Sequence, residues 1–151
     1  MKSNKWVIFD LDGTLADIEK RRTKARKPDG KLNWKVFFDP ENIKLDEPNH
    51  PVIQMAQSLA ETGHKIAIFS GRSKATSKTT RLWLSKLRPT SHPWAFMPDE
   101  KLKQDWFNDI FANPEDMDEA EVVAVFDDRD KVVKMWREIG LTCMQVAPGN
   151  F

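Results

Sequence analysis

The chain has 151 residues, enough for one domain with a proper core and too few for two ordinary ones. It is 40% hydrophobic and 31% charged with a net charge of only +1, so no whole-molecule field argues for a nucleic-acid or membrane surface. A single cysteine, Cys143, excludes an internal disulfide and a thiolate metal site. There is no apolar signal segment and no apolar run near the roughly 20 residues that cross a bilayer, so a cytoplasmic protein with no membrane partner is expected.

The first strand spans about 5–10. Trp6, Val7, Ile8 and Phe9 form an unbroken apolar run, as in a strand covered on both faces, and it ends in Asp10 and Asp12 before a Gly-Thr turn. The pattern then dissolves. Residues 20–27 are strongly basic, Pro28-Asp29-Gly30 is a turn signal, and Trp34, Val36, Phe37 and Phe38 must pack on something. Residues 16–49 therefore read as a small irregular insertion lying over the strand end, too long for an ordinary connection and too apolar for a free linker.

A helix over about 51–62 follows, with Pro51 suited to its start, Gly63 to its end, and Val52, Met55, Ala56 and Leu59 at helical spacing. The second strand, Lys65 to Phe69, runs straight into Ser70-Gly71-Arg72. A helix over about 73–87 turns Leu82, Trp83 and Leu87 inward. A weak strand at 93–97 precedes a third helix over about 99–111. The fourth strand, Val122 to Phe126, ends in Asp127-Asp128, and a helix over about 129–139 leads to a last strand at about 141–146. Alternating strands and helices define an α/β domain. Right-handed crossovers with a reversal after the first strand give a parallel sheet of order 3-2-1-4-5. The first and fourth strands become neighbours, and the switch point between them carries Asp10, Asp12, Asp127 and Asp128, with Ser70 alongside.

Four carboxylates at one sheet edge need a counter-charge, and an all-oxygen donor set selects a hard cation, Mg²⁺ before others. Ser70, Gly71 and Arg72, with a hydroxyl, backbone N–H groups and a guanidinium after a buried strand, make a candidate anion site at a helix N-terminus. Position alone does not separate Lys101 from Lys103 as a further cation.

Asp10-Leu11-Asp12-Gly13-Thr14 is the DxDGT signature of the haloacid dehalogenase-like (HAD) phosphatases, which the chain resembles over essentially its whole length. Ser70, a helix-borne Lys and Asp127-Asp128 match the other motifs in order. Phe69-Ser70-Gly71-Arg72, Phe126-Asp127-Asp128-Arg129 and the ending Gln145 to Phe151 resemble, more narrowly, the 3′-phosphatase domain of bacteriophage polynucleotide kinases. The resemblance implies a Rossmann-like three-layer α/β/α core as a single domain over 1–151. It favours Lys103, because the family's Asp four residues earlier fits Asp99. It implies that Asp10 attacks phosphorus, that Asp12 is general acid and then base, and that Ser70 and Lys103 hold the phosphoryl oxygens. Asp127 and Asp128 would complete an Mg²⁺ shell with Asp10 and the backbone carbonyl of Asp12. The clustered acids would tune the Asp12 carboxyl.

No GxxxxGK[ST] occurs in the chain, so a phosphatase module without a kinase domain is expected. Two substrate classes follow. The basic run 20–27, extended by Arg72, Lys74, Lys78 and Arg81, would track the backbone of a phosphorylated nucleic-acid end. Alternatively Arg21, Arg22 and the Trp34–Phe38 segment would close over a single nucleotide, with Trp34 against the base.

Overall fold

The computed structural model describes residues 4–72, 74–87, 94–97, 103–111 and 120–150. Its centre is a five-stranded parallel sheet made of β1 (Lys5–Phe9), β4 (Lys65–Phe69), β5 (Ala95–Met97), β6 (Glu121–Asp127) and β7 (Cys143–Gln145), in the order β5-β4-β1-β6-β7. Counted among the sheet strands alone, this is the 3-2-1-4-5 order expected from the alternation of elements. A separate two-stranded antiparallel ribbon joins β2 (Ala16–Asp17) to β3 (Glu47–Pro48).

The strands read as continuous apolar runs because both faces are covered. Val7 and Phe9 of β1 belong to one core cluster, with Val52, Ile53, Ala56 and Ala60 of α4 (His50–Glu61) and Leu84 of α5 (Ser77–Ser85). Ile8 points the opposite way, as the two-residue period of a strand requires. It joins Phe111 of α6 (Lys103–Phe111) and Val133 and Trp136 of α7 (Asp130–Glu138). Helices α4 and α5 thus cover one face and α6 and α7 the other, in three α/β/α layers. Among the described residues, no helix is long and apolar enough to cross a membrane.

Segment 16–49 is more regular than its sequence suggests. It holds α1 (Glu19–Ala25), α2 (Trp34–Phe37) and α3 (Pro40–Ile43), between the two strands of the ribbon. Helices of four to seven residues are too short to display a 3.6-residue period, so the pattern dissolves where structure persists. Local chemistry still sets them. Asn33 caps α2 by accepting from the N–H groups of Lys35 and Val36, and Asp39 caps α3 by accepting from Glu41.

Two helices depart from expectation. The helix after Ser70 starts later than expected: a 3₁₀ turn occupies Lys74–Thr76 and α5 begins at Ser77, ending at Ser85. Its buried residues are Thr80 and Leu84, whereas Leu82 is 59% exposed. Met55, placed inward by spacing, is 48% exposed, and Ile53 takes the core position. The expected opening of the third helix at Pro98-Asp99 lies outside the described residues.

Candidate active site

Parallel pairing of β1 with β6 sets Phe9 beside Phe126. The two rings stack 4.6 Å apart and 5° from parallel, and the Asp10 N–H donates to the Phe126 carbonyl at 2.9 Å. This register brings Asp10, Asp127 and Asp128 together at the carboxyl end of the sheet. Their carboxylate oxygens lie within 4.8 Å of one another, and all three residues are buried. Like charges this close, taken out of water, disfavour ionisation. Burial first, and Asp127 second, raise the Asp10 pKa well above its ordinary value, and burial likewise raises Asp128.

Lys103, at the first turn of α6, supplies part of the counter-charge. Its Nζ donates to Asp10 Oδ1 at 2.7 Å and to Asp127 Oδ2 at 2.9 Å. Burial alone would lower its pKa, but Asp10 and Asp127 outweigh burial and raise it, so Lys103 stays a cation. This geometry places Lys103 on the clustered acids. Lys101 and Asp99 lie outside the described residues.

Asp127 is fixed by its own loop and by α7. Its Oδ1 accepts from the N–H groups of Asp128 (2.9 Å) and Arg129 (3.4 Å), and its Oδ2 accepts from Trp136 Nε1 at 3.3 Å. The Thr14 hydroxyl donates to Asp10 Oδ2 at 3.2 Å. Gly13 has φ +82°, and a Cβ there would lie 2.1 Å from Asp128 Oδ2. The motif glycine is thus required twice, by its backbone conformation and by the carboxylate that occupies the space beside it.

Asp12 is not part of this trio. Its Oδ1 accepts from Arg72 Nε (2.9 Å), Arg72 Nη2 (2.6 Å) and Arg21 Nη2 (2.5 Å). Burial would raise its pKa, but Arg72 and Arg21 together hold it below the ordinary carboxylate value. The expectation that clustered acids tune this carboxyl is therefore corrected: two guanidiniums surround it and tune it, and Asp10 is the acid the cluster raises. The Asp12 carboxylate is engaged by these guanidiniums and is not among the three clustered carboxylates, so a contact of Asp12 with a cation there would be through its backbone carbonyl.

Arg21 and Arg72 were expected to meet substrate, yet both are fully buried and both hold Asp46. Arg21 donates to Asp46 from Nε (3.0 Å) and Nη2 (2.9 Å), and to the Phe37 carbonyl from Nη1 (3.3 Å). Its guanidinium lies 4.3 Å from the Phe37 ring centre. Arg72 donates to Asp46 Oδ2 at 2.7 Å and to Thr80 Oγ1 at 3.1 Å. Asp12, Asp46, Arg21 and Arg72 form a charge-balanced quartet, buried except for the partly exposed Asp12. The two arginines organise Asp12 and are not open cations. Asp46 was missed in the sequence, where it reads as one more turn acid before Glu47-Pro48.

Ser70 is buried, and its Oγ accepts from the Arg72 N–H at 3.0 Å, which shapes the loop. Gly71 is exposed, with open space where a Cβ would stand. Because α5 starts only at Ser77, the loop backbone here, and not a helix N-terminus, faces that space. Arg22 lines a cleft of about 280 Å³ that also touches Gly13, Asp17, Asn49 and Asp128, and it bonds Glu19 at 3.0 Å. Lys20 turns to Glu47. The basic run 20–27 is therefore split, with its first three cations engaged by acids of this segment or of the site.

The C-terminal tail braces the metal-type loop. Gln145 Nε2 donates to the Asp128 carbonyl at 2.9 Å, and the Asp130 N–H donates to the Gly149 carbonyl at 2.7 Å. A Cβ on Gly149 would meet the Asp128 carbonyl oxygen at 1.9 Å and the Arg129 Cα at 2.7 Å, both backbone atoms that cannot swing aside. Gly149→Ala is expected to lower stability by about 1–3 kcal/mol through overpacking. It should also cut phosphatase activity more than tenfold, because the Asp127–Asp128 backbone must shift. Thermal melting and phosphate release on the same preparation check both.

Comparisons with known proteins identify the family. A family model described as "Polynucleotide kinase PNKP phosphatase domain" matches residues 4–151. A protein of Autographa californica nuclear polyhedrosis virus, named "Putative bifunctional polynucleotide kinase/RNA ligase", is 32% identical over 142 residues, covering 88% of this chain and 18% of its own length. Two solved chains share the fold. One, from the "Pnkp1/Rnl/Hen1 RNA repair complex", has a TM-score of 0.69 at 28% identity and covers 97% of this chain and 43% of that one. Another Pnkp1/Rnl/Hen1 complex gives 0.67 at 30%, covering 98% and 47%. The chain spans less than half the length of each of these relatives. With the match running from Asn4 to the last residue, over the acid trio, Lys103 and the Asp12 quartet alike, the chain belongs to the polynucleotide kinase PNKP phosphatase-domain family and is an HAD-like phosphatase.

Proposed function

We propose that this phosphatase removes 3′-phosphates from polynucleotide ends through an aspartyl-phosphate on Asp10, with Mg²⁺ as cofactor and segment 16–49 acting as a small cap. The observation that carries the reading is the buried Asp10 carboxylate, held by Lys103 and Thr14 at the sheet edge beside the open Gly71 loop. An Asp10 oxygen attacks phosphorus as the bond to the leaving oxygen breaks, and Asp12 gives its proton to that oxygen. Water then attacks the same phosphorus and loses a proton to Asp12, and the bond to Asp10 breaks to release inorganic phosphate. Asp12 rests as a carboxylate between two guanidiniums. An incoming phosphate dianion offsets that positive field and favours protonation of Asp12, so substrate binding prepares the acid. Lys103 and the Gly71 N–H stabilise the charge on the phosphoryl oxygens.

The all-oxygen trio fits a hard divalent cation. Asp127 already accepts from Lys103, Trp136 and two backbone N–H groups, so Asp10 and Asp128 would contribute most to holding the ion. When bound, Mg²⁺ would neutralise charge on the phosphoryl group and on Asp10. A second reading, hydrolysis of mononucleotides, draws on the cleft of about 280 Å³ beside Gly13 and Asp128, which is of the size that holds one small ligand.

A phosphate-release panel decides between them. It comprises 3′-phosphorylated DNA and RNA, 3′- and 5′-mononucleotides and sugar phosphates, each with Mg²⁺ and with excess EDTA. The proposal expects fastest release from 3′-phosphorylated oligonucleotides and loss of release in EDTA. Equal rates on mononucleotides would replace it with the second reading, and full activity in EDTA would remove the metal from it.

A further inference from the structure

We infer that the hairpin between α1 and α2, with Trp34 at its end, is a contact surface for a single-stranded polynucleotide whose phosphorylated terminus occupies the Asp10 site. The inference rests on the 3′-phosphatase reading and names the part of the chain that would hold the strand beyond its last nucleotide.

Residues 24–35 carry Lys24, Arg26, Lys27, Lys31 and Lys35 against one acid, Asp29, and all six are exposed. None of the five cations has an ion pair among the described residues, unlike Lys20, Arg21 and Arg22 just before them. The segment is nevertheless ordered into one shape. Arg26 bridges Leu32 in an antiparallel pairing, the Lys27 N–H donates to the Lys31 carbonyl at 2.8 Å, and Gly30 turns the hairpin at φ +83°. The lone acid is partly engaged, its Oδ1 accepting from the Lys31 N–H at 2.9 Å. A fixed display of unpaired cations is the electrostatic footprint of a phosphate backbone.

Trp34 adds a second kind of contact. It is 59% exposed although its neighbours are aromatic. Phe38 stacks against it at 5.9 Å and 20°, and Phe37 meets it edge-on at 5.4 Å. The indole is thus braced by two phenyl rings with more than half of its surface open, as a base-stacking platform needs. It is also connected to the chemistry. The Phe37 ring that supports it lies under the Arg21 guanidinium, which in turn binds Asp12. Three successive contacts therefore link the exposed indole to Asp12. Stacked aromatic surface beside a run of cations fits single-stranded nucleic acid better than an acidic protein, which would need no open ring.

The test is binding of a 5′-labelled, 3′-phosphorylated single-stranded 10-mer, followed by anisotropy, with Asp10→Asn in every protein to prevent turnover. Trp34→Ala is expected to weaken binding about tenfold. Replacing Lys24, Lys27 and Lys35 together by Ala should weaken it further and flatten the dependence of log Kd on log salt. Trp34→Phe should recover most of the loss, and circular dichroism of each variant confirms folding. Unchanged Kd and salt slope in the lysine triple variant, or equal Kd for Trp34→Ala, would overturn the inference. So would an acidic peptide that binds as tightly as the 10-mer and competes with it. Failure of the 3′-phosphatase reading shows separately, as absence of phosphate release from the same 10-mer by the protein with Asp10 intact.

Discussion

Replacing Asp10 by Asn is expected to lower phosphate release from any substrate by at least about 10³-fold, the scale of loss when a covalent nucleophile is removed. The same change should leave the protein folded and no less stable. Asp10 is buried against Asp127 and Asp128, and its pKa is raised by burial and by those two neighbours. An amide of the same shape removes that repulsion. It keeps an acceptor for Lys103 and leaves that lysine its second partner, Asp127, at 2.9 Å. A collapsed activity beside an equal or higher melting temperature is therefore the signature to look for, since a merely structural acid would lose both together. The affinity for Mg²⁺, measured by titration calorimetry, should fall as well, because the change takes one of the three clustered carboxylates away. Turnover within a few fold of the unmodified protein would end the case for Asp10 as nucleophile.

What the sequence revealed of this site follows the range of the interactions that build it. Asp10 and Asp127 were legible because each ends an apolar run, and a parallel sheet with its switch point between them leaves their strands adjacent. Lys103 needed the family resemblance to be chosen over Lys101, and its contacts to Asp10 and Asp127 give it a physical role at the site. Helix faces were harder. The 3₁₀ turn at Lys74–Thr76 starts α5 later than expected, and Leu84 rather than Leu82 is the buried leucine. Asp46 gave no signal at all. It acquires meaning only through Arg21, 25 residues before it, and Arg72, 26 residues after it. Arg21 misled for the same reason. Within a basic run it looks like a surface cation, and only its buried partners show otherwise.

Asp46→Ala is expected to be the most damaging change outside the acid trio. It would leave two buried guanidiniums facing one carboxylate, and breaking a buried ion pair in this way costs about 3–5 kcal/mol. For a domain of this size that corresponds to a melting temperature lower by roughly 6–20 °C. Activity should fall about 10²-fold or more in the fraction that stays folded, since both arms that hold Asp12 lose their anchor. Asp46→Asn separates charge from shape. Burial pushes the Asp46 pKa up to about 6 despite Arg21 and Arg72, so the folded protein binds this proton more tightly than the unfolded chain does. Its contribution to stability is then greatest below the ordinary aspartate pKa, near 4, and is lost as the pH rises towards 6. The Asn variant cannot titrate there. Its melting temperature should depend less on pH between 4 and 6 than that of the unmodified protein, and it should melt above Asp46→Ala because an acceptor remains for the arginines. Arg72→Lys keeps the charge but loses the fork that reaches Asp12 with Nε and Nη2 and Asp46 with Nη2, so it should lose activity even where it keeps stability. Melting curves from pH 4 to 8, with phosphate release at pH 7, read all three variants. If Asp46→Ala melts and turns over like the unmodified protein, the quartet does not position Asp12, and the acid–base assignment loses its structural basis.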